Sequence, residues 1–585
     1  MLNRPFISYT SDLYYLIWDI IVKMGIHGEA IWKTVGILFV FVLMFLTCVN
    51  LYKEKIKNKY INYILSEKTY LFSIIIGVII LRLPNLIFPQ LNTDESQWIV
   101  SAATLIKDPR FWLSVDGTTS GPLNIFPLTL IYVIGGTLNY ATVRLFGLIV
   151  CIIPSIILLY KAFINVFDAK IARIVTLPLI ICTAFINFWD IIPFNSEHIP
   201  MLMISICIFF LSKLWNKDNS KIIFLLGLFL GLTFYSKLQA VPMVLTIGFS
   251  FIFFKFIDKK LKLKLRLKQL IIFLLSGLLP SCLVLIYLKL FGAFYDFWQI
   301  YILSNVFYAE RNSLNIIEKI KIFLNIINTT PDTILFFKLQ FLILVLTITL
   351  LIPLYKQLKI KHIQILITAF LLTLTSVYGI IKPGNGFYHY QILLFIPLTF
   401  FTGSVIGLIY SLYLENKDKL VLSHFKHILI AIILILSFIP GISNVLKGSA
   451  GIKYVENAAG IPAQQSEITK KILEYTKPND TMSIWGWMNN YYVETGLIQG
   501  TKEPATNYQI SKIKQQDYYL KRYVSDLTKN RPKIFLDVVG GQSFAYNNKE
   551  TQRHELFPEV NAVIQKNYEF IADINEIRIY LLKSQ

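Results

Sequence analysis

Apolar runs of membrane-crossing length recur along this chain and leave it few ways to fold. Ile37–Val49, Leu71–Ile80, Ile222–Leu232 and Ile271–Leu279 are four of them. With their flanks they approach the roughly 20 residues that cover a bilayer's hydrocarbon core. A segment in hydrocarbon must satisfy its own backbone polar groups. With no strand-like alternation visible, these runs can only be helices. Composition agrees: 55% of the 585 residues are hydrophobic and the mean hydropathy is +0.58.

The runs predict twelve spans, near 31–52, 69–88, 141–162, 172–192, 198–216, 222–236, 239–257, 268–291, 333–356, 361–381, 389–413 and 427–445. Ahead of them, the amphipathic stretch to about Ile26 has no small-residue cleavage site before Ala30 and reads as an interfacial helix, not a cleavable signal. The net charge of +21 sits in clusters between spans, which is how a membrane protein sets its orientation. The clusters are Lys53, Lys55, Lys57 and Lys59; Lys161, Lys170 and Arg173; Lys213, Lys217 and Lys221; Lys255, Lys259, Lys260, Lys262, Lys264, Arg266 and Lys268; and Lys356, Lys359 and Lys361. They share one side only if 123–138, with Pro127 and Gly135-Gly136, does not cross. That segment is therefore read as a re-entrant or juxtamembrane helix. No basic domain with interleaved aromatics exists, which argues against nucleic acid. Cys48, Cys151, Cys182, Cys207 and Cys282 all lie in apolar runs and form no disulfide or metal pattern.

Three units follow: residues 1–68, an interfacial helix and an extra span; 69–445, a transmembrane module with a first outward loop at 89–140; and 446–585, where charges of both signs return. The last is predicted to be an α/β domain, with helices near 463–476 and 508–529, strands near 481–487 and 533–539, and a closing hairpin near 568–583.

Acids gather at the ends opposite the basic clusters. Asp94 and Glu95 open the first outward loop, where burial raises a carboxyl's pKa and suits it to act as a general base. Equally, they are acids in the first turn of a helix capped by Thr93. Glu197, between two spans with almost no loop, is costly at that depth and so a functional candidate or a helix cap. Arg144, Lys237 and Lys382 break the positive-inside trend, and could hold a phosphate or reach to headgroups. Asp296 and its aromatic neighbours could line an acceptor groove but read better as an interfacial belt; Trp485 and Trp487 could stack on a sugar face but read better as domain core; His198 reads as a satisfied histidine.

Taken in order, Leu81-Arg82-Leu83-Pro84, Asp94-Glu95, Gly121-Pro122, Arg144-Leu145, Asn195-Ser196-Glu197, Gly231 with Lys237, His389-Tyr390 and Trp485-Gly486-Trp487 resemble the GT-C superfamily of lipid-linked-sugar glycosyltransferases. The nearest likenesses are bacterial relatives of protein O-mannosyltransferases and of the lipid A aminoarabinose transferase. The resemblance implies a polyprenyl-phosphate sugar donor, a glycan, lipid or protein hydroxyl acceptor, and an active site on the extracytoplasmic face of a bacterial inner membrane. It makes Asp94 the base, Glu197 a second acid, and Arg144, Lys237, Lys382, His389 and Tyr390 donor-phosphate contacts. Ser120-Gly121 stand where the aminoarabinose transferases carry Glu-Lys, so no obligatory metal or other cofactor is expected. The competing reading is a transporter or flippase of lipid-linked glycans.

Overall fold

The computed structural model describes residues 4–51, 58–257, 262–310, 314–415 and 420–584; Lys53, Lys55, Lys57, Lys259 and Lys260 lie outside them. Among the described residues, nine helical runs are long and apolar enough to cross a membrane. They are Asp12–Leu51, Glu67–Ile87, Tyr140–Val166, Leu238–Ile257, Leu263–Phe291, Ile334–Leu351, Ile360–Ile381, Tyr388–Leu412 and Ile430–Asn457. Shorter helices at Ala169–Ala184, His198–Leu214 and Ser220–Thr233 pack among them and supply the remaining expected spans.

The expected span 172–192 is corrected: its helix stops at Ala184, and residues 185–197 form an irregular buried loop. Segment 123–138 is a broken helix covering only Pro122–Val133, with a 3-10 turn at Phe126–Leu128. At 1.5 Å per residue it reaches about 18 Å, too short for the hydrocarbon core.

The two ends of the bundle differ in chemistry. At one end, Lys161 pairs with Glu67, Lys255 pairs with Asp218, and Lys361 donates to Asn216. There Arg173, buried, caps the carbonyls of Leu46, Leu65 and Ser66 and lies 4.6 Å from the Tyr70 ring. At the other end sit the N-terminal segment, the loops carrying the acids, and the C-terminal domain. The helix Asp12–Met24 buries Tyr14, Ile17, Trp18 and Ile21, and its Trp18 indole donates to Gly460.

The C-terminal domain carries its strands beyond the helical run that ends at Asn457. It holds a five-stranded sheet of β1 (Thr481–Trp485), β2 (Ile498–Gln499), β3 (Ile534–Asp537), β4 (Tyr568–Ile574) and β5 (Ile577–Leu582), in the order β2-β1-β3-β5-β4. β1 is parallel to β2 and β3, while β5 is antiparallel to β3 and β4. The helix expected at 508–529 is two, Asn507–Ile510 and Gln516–Asn530. Helix Asn490–Thr495 and strand β2 escape sequence reasoning because they are so short.

Candidate active site

The site is built outward from Asn92. Its side chain, not that of Thr93 as expected, accepts the Glu95 amide at 3.0 Å and caps the helix Thr93–Lys107, which places Asp94 in the first turn. The same side chain donates to Asp190 at 3.1 Å and to Asn195 at 3.3 Å, so the cap also ties this helix to the loop 185–197.

Glu95 and Arg144 depart from the roles expected for them. Glu95 is fully buried and takes the Arg144 Nε and Nη2 at 2.8 and 2.6 Å. Arg144 directs its other N–H groups to the carbonyls of Leu86, Phe88 and Pro89. All five guanidinium donors are engaged, so none is left for a phosphate. The pair braces the turn that leads into Asp94.

On the facing loop, Asp190 accepts from the His389 backbone N–H at 3.0 Å and lies 2.9 Å from its Nδ1. Burial pushes Asp190 up, but His389 and Asn92 outweigh it and hold its carboxyl below the usual range. Glu197, also buried, pairs with Lys237, whose ammonium donates to Ser196 Oγ at 2.6 Å as well. Here too burial opposes ionisation, and Lys237 overcomes it to lower the Glu197 pKa. His198 is satisfied as expected, its Nδ1 accepting the Asn195 amide at 2.9 Å.

Lys237 is held from the other side by a short antiparallel bridge to Ser120. Gly121 donates to the Ser236 carbonyl at 2.8 Å, and Leu123 to Tyr235 at 3.0 Å. A Cβ on Gly121 would fall 2.2 Å from the Tyr235 oxygen, so this approach requires glycine. Asn124 then donates to the carbonyls of both Ser196 and Ser236, joining the Glu197 and Lys237 turns.

Asp94 stands apart. It is half-buried, and its carboxylate makes no hydrogen bond among the described residues. Burial raises its pKa; His389 and Lys237 act against the rise, while Asp190 and Glu197 add to it. These influences put all five groups in one electrostatic neighbourhood. Beside them, a cavity of about 330 Å³ is lined by Lys237, Gln239, Tyr308, Tyr378, Lys382 and Tyr390, among others. Tyr308 and Tyr390 share a 2.8 Å hydrogen bond, and Lys237 lies 5.2 Å from the Tyr390 ring centroid. Lys382 is exposed at this wall.

The structure therefore gathers Asp94, Glu197, Lys237, Lys382, His389 and Tyr390 around one end of the bundle. It adds Asn92, Asp190 and Tyr308, which sequence reasoning missed. Asp190 carried a signal, since a lone acid in the apolar stretch Phe188–Phe194 meets the same criterion that singled out Glu197. Asp296 accepts from Tyr518 at 3.0 Å and joins the bundle to the sheet domain. Among the described residues, the group with three potential metal-ligand atoms within 4.8 Å of one another is Asp537, His554 and Glu555, in the sheet domain. There Arg578 already pairs with Glu555.

A family model for dolichyl-phosphate-mannose-protein mannosyltransferase matches residues 120–307. Among solved structures, the chain is similar to ArnT from Cupriavidus metallidurans bound to undecaprenyl phosphate, at 10% identity and a TM-score of 0.52, covering 89% of this chain and 100% of that one. It is also similar to the Archaeoglobus fulgidus oligosaccharyltransferase in complex with Zn and sulfate, at 12% identity and a TM-score of 0.38, covering 80% and 67%. No curated protein matches. Fold and site together define a polytopic α-helical membrane protein with a polar centre at one membrane face, beneath a sheet domain. Within that class the chain shares the fold of ArnT.

Proposed function

We propose that this protein transfers a sugar from a polyprenyl-phosphate donor to a hydroxyl acceptor, with Asp94 as general base. One observation carries the reading: Asp190, Glu197 and Glu95 are locked into hydrogen-bonded pairs, while Asp94 has none among the described residues. An acid held at a raised pKa without a partner is suited to take a proton. The acceptor O–H gives its proton to Asp94, and its oxygen bonds to the anomeric carbon as the carbon–phosphate oxygen bond breaks. The lipid phosphate departs with that electron pair, and a single displacement inverts the centre.

Lys237 and Lys382 on the cavity wall supply positive charge for the leaving phosphate. The step asks for no divalent metal. The helices Leu238–Ile257 and Ile360–Ile381 contribute Pro242 and Tyr378 to the cavity lining, which gives a lipid-linked donor an apolar wall beside the two lysines. The undecaprenyl phosphate bound to ArnT supports a leaving group of this kind. The basic loops support a cytoplasmic assignment of the opposite end and, with it, transfer on the extracytoplasmic face.

The test is transfer in proteoliposomes from a panel of polyprenyl-phosphate sugars. Asp94→Asn is expected to fold, insert and lose at least about a hundredfold in rate. Unchanged transfer by that variant would remove Asp94 from the chemistry.

A further inference from the structure

The cavity beside Asp94 holds polar groups that the transfer step leaves unused, and two of them are primary amides, Gln239 and Asn305. Gln239 stands in the short turn Leu238–Ala240, two residues beyond Lys237. Its Nε2 donates to the Gly379 carbonyl at 2.9 Å. Gly379 belongs to the helix Ile360–Ile381, and a Cβ there would come 2.8 Å from the Gln239 backbone oxygen, so the close approach needs glycine. Asn305 is the second residue of the helix Ser304–Glu310, and its Nδ2 donates one turn back to the Tyr301 carbonyl at 2.8 Å. Tyr301 is itself buried and anchored, its hydroxyl donating to Phe234.

These two bonds fix which way each amide faces. Only the nitrogen can donate to a carbonyl, and a flipped amide would set oxygen against oxygen. Gln239 Oε1 and Asn305 Oδ1 are therefore the free ends, and neither accepts a hydrogen bond among the described residues. Both side chains are half-buried and line the cavity, and neither oxygen is sealed from it. The neighbouring tyrosines differ: the hydroxyls of Tyr308 and Tyr390 bond each other, and Tyr308 also accepts from Asn385.

We infer that Gln239 and Asn305 select the donor's sugar by accepting hydrogen bonds from two of its hydroxyls. This rests on the transfer reading above and adds the sugar's chemistry to it. At about 330 Å³ the cavity is near the small end for ligand sites, which suits one sugar ring and its phosphate. An amide oxygen accepts from a hydroxyl or an ammonium alike; charge decides between them. Among the described residues, the cavity is lined by Lys237 and Lys382 and by no carboxylate, so the ammonium of an amino sugar would meet like charges. The sugar that fits is neutral, with hydroxyls placed to donate to both amides. A donor lacking one of those hydroxyls would leave an amide oxygen desolvated and unpaired, which is how a polar site rejects a deoxy analogue.

The experiment measures donor binding to the full-length protein in lipid nanodiscs by calorimetry. The probes are polyprenyl-phosphate mannose, glucose, galactose and aminoarabinose, then the monodeoxy and deoxyfluoro forms of the tightest binder. Wild type is expected to prefer a neutral sugar and to lose about tenfold or more in affinity when one particular hydroxyl is removed. Fluorine cannot donate, so the matching deoxyfluoro donor should bind as weakly as the deoxy one. In Gln239→Leu and Asn305→Leu, the parent donor should fall to the level of a deoxy donor, and the ratio between the two should approach one. A merely structural role would weaken both donors and keep their ratio. The wild-type comparison decides the matter even if the variants do not fold. The inference is overturned by equal affinity for the parent and all its deoxy forms, by recovery of binding with fluorine, by an unchanged ratio in either variant, or by preference for aminoarabinose. Undiminished transfer by Asp94→Asn with these ratios as expected would remove the base alone. Transfer that needs Asp94, with ratios indifferent to Gln239 and Asn305, would remove this inference alone.

Discussion

Asp94 and Glu95 are neighbours in sequence, and helix geometry separates their fates. Successive helical residues point about 100° apart, so Glu95 turns into the protein to meet Arg144 while Asp94 turns toward His389 and Lys237. The sequence shows two acids in a first turn, and nothing local tells which is the brace. Two outcomes follow. Because burial raises the Asp94 pKa and the base must be ionised, the transfer rate should rise with pH through a value above the ordinary aspartate range. A rate profile that is flat down to that ordinary range would contradict the assignment. Glu95→Gln should instead act through stability, since it leaves a buried guanidinium without its countercharge at a cost of about 3–5 kcal/mol. Thermal unfolding in detergent should show a large drop for Glu95→Gln and little change for Asp94→Asn.

At the scale of elements, most helices were legible because hydrophobicity and length are enough to define a span. The loop 185–197 was not. Its residues Ile186, Phe188, Ile191 and Ile192 are as apolar as a helix, because they are buried against the bundle and line the underside of the site. Hydropathy reports burial, and burial does not distinguish a helix from an ordered loop held by Asn85, Asn187 and Asn195 side chains. The broken helix Pro122–Val133 is shorter than a span, in keeping with the non-spanning reading drawn from Pro127, Gly135-Gly136 and the charge count. It fixes the parity of every later span, which gives a direct check. A cysteine at Ile134, 83% exposed, should label from the extracytoplasmic side, and one at Lys217, exposed at the basic end, from the cytoplasm. Labelling of both from the same side would undo the orientation.

For the whole molecule, the joint between the bundle and the sheet domain matters most, and it rests on a buried cluster of charges. Arg522 of the domain pairs with Asp116 of the first outward loop and with its own domain's Glu503, and Tyr518 and Lys502 reach Asp296. No sequence pattern joins residues 116, 296, 503 and 522, so only the fold reveals the joint. One guanidinium faces two buried carboxylates, and burial, reinforced by Asp116 and Asp526, raises the Glu503 pKa to about 7 against Arg522's pull. The folded chain therefore keeps a proton on Glu503 that the unfolded chain releases near its ordinary 4.5. The resulting stabilisation is complete below that value and lost as pH rises through about 7. Wild type should accordingly lose thermal stability between about pH 5 and 8, whereas Glu503→Gln, which cannot ionise, should show a flatter curve and exceed wild type at the alkaline end. Parallel curves for the two proteins across that window would mean that Glu503 is ionised throughout, and that the joint is held as a permanent ion triad.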